Sequence, residues 1–128
     1  MHDRADHRFR WGVNDCALFS CDGIHAMTGV DVAAEFRGLY KTKRTSMLAI
    51  KRVTGEASLF AAASYAAAMH AMRPVKPSMA GRGDWVLLPN GNDVTLGLVH
   101  LNGKFAVAVG DKGLVRMELA TAVAAWRV

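Results

Sequence analysis

The sequence predicts a single α+β domain in which N-terminal helices pack on one face of a C-terminal antiparallel β-meander. In the first half, apolar residues recur at helical spacing, and this half ends at Pro74 and Pro77. After these prolines the pattern changes to short apolar runs between turn residues, with Asn102-Gly103 as a strong hairpin signal. The length of 128 residues, 52% of them hydrophobic, is enough for one core without disulfide or metal.

Four helices are expected in the first half, over residues 15–28, 31–36, 45–55 and 58–72. Asn14 and Asp15 are preferred caps at the start of the first helix, and Asp31 is a cap for the second. Gly29 and Gly55 are natural stops after the first and third helices. The fourth is mostly alanine and is too short and too interrupted to span a membrane, so we expect a core helix there and no membrane span.

Four strands are expected in the second half, over residues 84–88, 94–101, 104–109 and 114–119. They are separated by turn residues at 89–92, 102–103 and 111–113. The alanine-rich end through Trp126 is expected to form a last helical turn. No internal repeat or linker divides the chain, so residues 1–128 are predicted to form one domain.

Positive charge is concentrated in one segment. The chain has 16 Lys and Arg against 11 Asp and Glu, a net charge of +5. Six basic residues fall between positions 37 and 52 with no acidic residue among them: Arg37, Lys41, Lys43, Arg44, Lys51 and Arg52. Such a segment suits an acidic partner, and the alternative is the solvated face of a helix. Because Tyr40 is the one aromatic residue among them, nucleic acid is kept only as a less favoured partner.

The two cysteines, Cys16 and Cys21, lie on the first predicted helix. Five residues apart, they point in directions about 140° apart, which excludes a disulfide between them. Cys16 falls in the first turn, where the helix dipole and unpaired N–H groups favour a thiolate, so it is a candidate nucleophile. Cys21 is expected to be a small buried side chain. His25 shares a helix face with Cys21 but has no further ligands at a suitable spacing, so we expect no metal and no cofactor.

The residues around Cys16, from Arg10-Trp11-Gly12 through Asn14-Asp15-Cys16 to Phe19, resemble the nucleophile segment of NlpC-type papain-like cysteine peptidases. In that family a Trp-Gly pair precedes an Asp-Cys at the start of a helix. The resemblance implies a papain-like fold with Cys16 as nucleophile, and it makes Trp11, Asn14, Asp15 and Thr95 groove or supporting residues.

Later segments are similar to the same family. Gly83 to Leu88 resembles the first strand of its sheet, and Leu96-Gly97-Leu98 through Phe105 resembles the hairpin that follows. In finer detail, residues 28–31, 36–40 and 125–128 resemble small proteins of phage and prophage tail modules, a divergent branch of this superfamily. The resemblance therefore implies a tail-tip component, with other tail-tip proteins as its partners.

The chain departs from the family at the catalytic base. Thr95 aligns with the family's histidine, and Val107 aligns with its third polar residue; neither side chain can act as a base or orient one. His100 is five residues beyond Thr95, so we expect it on the opposite strand face, at the hairpin end. His2 and His7 stay open as residues that could fold over Cys16.

The sequence is compatible with three functions. The first is a degenerate peptidase used structurally or as an adaptor in a phage-type tail tip, assembled in the bacterial cytoplasm and located in the virion tail. The second is an active cysteine peptidase or amidase that cleaves wall peptides with Cys16 and binds peptidoglycan. The third is a module that binds nucleic acid through the basic segment. The N-terminus alternates charges without an apolar run, so no secretion signal is expected.

Overall fold

The computed structural model of the chain describes residues 15–34, 36, 38, 40–90, 93–100, 102–110 and 113–128, with the backbone alone at Cys16, Gly110 and Gly113. Three helices precede an antiparallel six-stranded sheet, which confirms the α+β class. The helices are α1 (Cys16–Thr28), α2 (Lys43–Thr54) and α3 (Leu59–Met69). The strands are β1 (Pro74–Val75), β2 (Trp85–Asn90), β3 (Asp93–Val99), β4 (Phe105–Gly110), β5 (Gly113–Glu118) and β6 (Ala124–Trp126). Short 3-10 turns lie at Pro77–Met79 and Leu119–Thr121.

Side-chain caps set the beginnings of the three helices. Asp15, Thr42 and Ser58 each accept a hydrogen bond from a backbone N–H in the first turn that follows. Gly29 and Gly55 end α1 and α2 with φ of 78° and 88°, in the left-handed region that glycine adopts at low cost. These local signals explain why the predicted boundaries of the helices are close to those in the structure.

The helix predicted over residues 31–36 is wrong. Its described residues form turns instead: the Asp31 carboxylate accepts a hydrogen bond from the N–H of Ala33, and the N–H of Phe36 donates to the carbonyl of Ala33. An aspartate that bonds the backbone two residues on offers an alternative to the helical ladder. Val32, Ala33 and Phe36 are buried in the core, so packing stabilises the turns.

Strands β2 to β5 form the predicted meander, and β6 and β1 extend the sheet beside β2, in the order β1-β6-β2-β3-β4-β5. The helical turn predicted for the alanine-rich end is limited to the 3-10 turn at Leu119–Thr121, and its extension through Trp126 is wrong, because Ala124–Trp126 pairs with both β2 and β1. Strand β1 escaped prediction because it contains only two residues, and its Pro74 is tolerated at a sheet edge. The turn expected from Pro89 starts later, since β2 continues through Asn90.

The two faces of the sheet have different partners. Trp85 and Leu98 face the helices, and neighbouring residues of β2 and β3 alternate to the opposite face. Helix α1 lies across β3 and β4, so close to β3 that a Cβ at Gly23 would collide with Leu98. The buried indole N–H of Trp85 donates to the Ser20 hydroxyl at 2.8 Å, which ties α1 to β2. None of the described helices is long and apolar enough to cross a membrane.

Candidate functional site at the start of the first helix

The first residue of α1 is Cys16, so its backbone lies in the first turn of a 13-residue helix, as predicted. Asp15 is the N-cap: its Oδ1 accepts a hydrogen bond from the N–H of Leu18 at 2.9 Å. The side chain of Cys16 lies outside the described part of the chain, as do Trp11 and Asn14. The helix dipole at this position favours an anion, which is the feature that made Cys16 a candidate nucleophile.

Asp15 also connects α1 to the segment before α2. It is only 1% exposed, and its Oδ2 accepts a hydrogen bond of 2.6 Å from the hydroxyl of Tyr40, which is buried too. A buried carboxylate requires such donors, because an unpaired one would be costly to desolvate. The sequence predicted Asp15 as a cap but missed Tyr40, since nothing local connects residues 25 positions apart.

The strand opposite the start of α1 presents apolar side chains. Val94 and Leu96 face the helices and line a cavity together with Asp15. Thr95 lies between them and pairs with Leu88, whose side chain packs in the cluster on the other face of the sheet. Alternate residues of a strand point to opposite faces, so Thr95 is turned away from α1. The prediction that Thr95 belongs to the groove at Cys16 is therefore wrong.

Strand β4 is also apolar at Val107, the residue that aligns with the family's third polar residue. Val107 of β4 pairs with Leu98 and packs against Phe19 of α1. It is buried in a cluster with Val109. Val107, at the position where the resemblance implies a third polar residue, therefore packs α1 against the sheet.

The described histidines lie away from the start of α1. His100 follows β3, where its ring stacks on Phe105 with centroids 4.6 Å apart and its Nδ1 accepts a hydrogen bond from the N–H of Asn102. This is the hairpin-end position that the sequence predicted. His25 is nine residues beyond Cys16, about 13 Å along the helix axis. His70 caps the end of α3. His2 and His7 lie outside the described residues.

A cavity of about 250 Å³ adjoins Asp15 and Tyr40, between the three helices and the sheet. Its walls are mainly apolar: Ala17, Leu18, Phe36, Met47, Ile50, Leu59, Ala62, Ala63, Ala66, Trp85, Val94 and Leu96. At one side it meets an exposed ion pair, in which the Nζ of Lys43 lies 3.0 Å from the Oδ2 of Asp93. The hydrogen bond from Lys43 lowers the pKa of Asp93. These walls suit an apolar group better than a polar peptide backbone.

Cys21 is buried and is not in a disulfide, as expected for a small core side chain. No group of three or more metal-ligating side chains occurs among the residues that the structure describes.

The basic residues between positions 37 and 52 do not all have the same surroundings in the structure. Lys41, Lys43, Arg44, Lys51 and Arg52 are all exposed, whereas Arg37 lies outside the described residues. Lys43 is set apart from the other cations by its ion pair with Asp93. The remaining ones lie before α2 or on its solvent side. The sequence showed that these charges lie in one segment. It could not show which of them has an acidic partner and which faces solvent.

A family model described as Domain of unknown function (DUF6950) matches residues 1–128, a range that contains every element from α1 to β6. No curated protein and no solved structure matches the chain.

Proposed function

The chain belongs to this family of domains of unknown function, and we propose that it is a papain-like domain of the NlpC type that has lost its catalytic base and serves as a structural or adaptor subunit of a phage-type tail tip. Its partners are other tail-tip proteins. It assembles in the bacterial cytoplasm and ends in the virion tail.

One observation supports the proposed loss of catalysis: apolar side chains occupy the strand face opposite the start of α1. A cysteine nucleophile needs a base within hydrogen-bond reach, and usually a third group that orients this base. Val94 and Leu96 occupy the helix-facing positions on either side of Thr95, and Val107 packs on Phe19. Neither valine nor leucine can accept a proton, so these strands supply no base to a thiol on α1.

The tail assignment is supported by the sequence resemblance at residues 28–31, 36–40 and 125–128. These segments lie in three places: the end of α1, the turns before α2, and β6 with the chain end that follows it. Tyr40 belongs to the second segment and bonds to Asp15 beside Cys16. The first and last segments belong to different elements, so the resemblance extends over the domain and is not confined to the cysteine helix.

An active cysteine peptidase or amidase is the second candidate. The observation that favours it is the position of Cys16 at the first residue of a helix capped by Asp15, where the helix dipole favours an anion. On this alternative the base would come from His2 or His7, which precede the described residues.

The proposal predicts that the purified protein does not hydrolyse peptidoglycan stem peptides. Wild-type protein and Cys16→Ala are expected to release the same background amount of product, because the described strands opposite the start of α1 offer no base to the Cys16 thiol. Product release is measured by mass spectrometry on muropeptides and on intact cell wall, with a known cysteine peptidase as positive control. Turnover by the wild type that Cys16→Ala abolishes would overturn the loss of catalysis and favour the second candidate.

The proposal also predicts that the protein is a stable component of tail particles. In a lysate of a host that produces the protein, it is expected to co-purify with tails through a density gradient, at a fixed ratio to another tail protein, as measured by quantitative mass spectrometry. A strain that lacks the gene should form defective tails and should be rescued equally by the wild type and by Cys16→Ala. Absence from purified tails would refute the tail role, and rescue by the wild type alone would contradict a purely structural role.

A further inference from the structure

One side of α2 carries a stripe of exposed residues, which we name the α2 stripe: Arg44, Leu48, Lys51 and Arg52. At 3.6 residues per turn, these four side chains fall within about 100° of arc around the helix axis. The buried residues of α2, Ser46, Ala49 and Ile50, lie on the opposite side. The stripe is therefore the face of α2 that is turned away from the domain.

The three cations of the stripe have no acidic partner in the part of the chain that the structure describes. Among the described residues Arg44, Lys51 and Arg52 form no ion pair, in contrast to Lys43, which pairs with Asp93. The nearest acidic residue in sequence, Glu56, accepts a hydrogen bond from Ser58. Arg44 lies in the first turn of α2, which has no acidic residue, and a cation there opposes the helix dipole. Its charge thus lowers the stability of the helix that carries it.

Leu48 lies at the centre of the stripe with 53% of its surface exposed. It is flanked by Arg44 four residues before it and by Lys51 and Arg52 three and four residues after it, the spacing of neighbours on a helix face. An apolar centre surrounded by charged side chains is the usual arrangement of a protein interface, with an anchor that is desolvated and a polar rim that stays wet.

From this arrangement we propose that the α2 stripe docks on a neighbouring protein subunit, at a shallow apolar socket for Leu48 that is surrounded by Asp and Glu. This inference rests on the proposed tail function, for which it names the contact surface and the chemistry of the partner. Opposite charges at the rim would speed association and fix the orientation of the two subunits, while burial of Leu48 would slow their dissociation.

Two other occupants fit the stripe less well. The exposed acidic residues that the structure describes lie in three different parts of the fold: Glu56 between α2 and α3, Asp93 at the start of β3, and Glu118 at the end of β5. These three residues therefore give a second copy of this chain no acidic cluster. DNA would pair with the cations through its phosphates but would leave Leu48 without a favourable contact, because phosphate recognition uses charged and polar donors. An acidic protein surface with an apolar centre matches all four residues.

The test combines charge reversal with crosslinking in assembled tails. The double variant Arg44→Glu/Lys51→Glu is compared with Lys76→Glu/Lys104→Glu, which makes the same change in net charge at exposed positions away from α2. Incorporation into purified tails is expected to fall by at least about tenfold for the first variant and to stay unchanged for the second, because like charges across a rim are strongly unfavourable. Thermal unfolding of both purified variants reports on the fold.

Crosslinking identifies the occupant. With Leu48→p-benzoylphenylalanine in assembled tails, irradiation is expected to give an adduct with one other tail protein, through a peptide that contains Asp and Glu. The control position is Lys104. An adduct with DNA, an adduct with a second copy of this chain, or normal incorporation of Arg44→Glu/Lys51→Glu would each overturn the inference. Each of these results leaves the tail role standing, whereas absence of the wild type from tails removes the tail role itself.

Discussion

Replacing Trp85 with alanine is expected to lower the free energy of unfolding by about 3–5 kcal/mol, the usual cost of removing a large aromatic side chain from a core. Trp85 is 1% exposed, and its ring lies 5.6 Å from that of Trp126, centroid to centroid. It also donates its indole N–H to Ser20 on α1. The loss therefore affects the contact between β2 and β6 and the docking of α1 together. Urea denaturation followed by far-UV circular dichroism measures the change.

The matched control is Trp85→Phe, which keeps an aromatic ring at the site and removes the donor to Ser20. Its cost is expected to be smaller, about 1–3 kcal/mol, because part of the packing is kept while one buried hydrogen bond and some volume are lost. If Trp85→Ala cost less than about 1 kcal/mol, Trp85 would not lie between α1 and the sheet, and the helix-facing assignment of β2 and β3 would fail with it.

Replacing Asp15 with alanine is the second large effect, with an expected loss of about 2–4 kcal/mol. The change removes the cap of α1, which accounts for about 1 kcal/mol. It also removes the buried hydrogen bond that Asp15 accepts from the hydroxyl of Tyr40, which adds about 1–3 kcal/mol. Because α1 begins at Cys16, fraying of its first turn would displace the backbone that carries this residue. Urea denaturation measures the stability, and hydrogen exchange of the Leu18 amide reports on the cap directly.

A double-mutant cycle with Tyr40→Phe separates the two contributions. Tyr40→Phe keeps the ring and removes the hydroxyl, so the cap of α1 stays intact in this variant. We expect the Asp15→Ala and Tyr40→Phe losses to be non-additive by about 0.5–3 kcal/mol, as for two groups in direct contact. Additive losses would show that the two side chains act independently, which would contradict the 2.6 Å hydrogen bond between them.

The sequence predicted features whose causes lie within a few residues. The starts of α1 and α3 follow from Asp15 and Ser58, which bond the backbone three residues on. The four strands of the meander follow from short apolar runs and from turn residues such as Asn102-Gly103. The same local reasoning placed Cys16 at the start of a helix, since a cap and a helix dipole need no distant partner.

The features that failed prediction depend on partners far away in sequence. Ala124–Trp126 is rich in alanine, which is typical of a helix, but it becomes a strand because the edges of β1 and β2 are available to pair with it. The position of Thr95, on the strand opposite the start of α1, also depended on distant strand pairing. Its residue type gave no indication of the face it occupies, and a register difference of one residue moves a side chain to the other face of a sheet.

The composition, helix ends, turns and concentration of positive charge were therefore readable from the chain alone, because each reflects the intrinsic preferences of neighbouring residues. The tertiary structure decided three further features. It placed the hydroxyl of Tyr40 against Asp15, and it turned Val94 and Leu96, not Thr95, toward the helices. It also paired Lys43 with Asp93, which distinguishes Lys43 from the other cations. Each of these outcomes is a contact between residues at least 25 positions apart or a choice of sheet face. Such contacts are selected by the packing of the whole domain, which local preference does not encode.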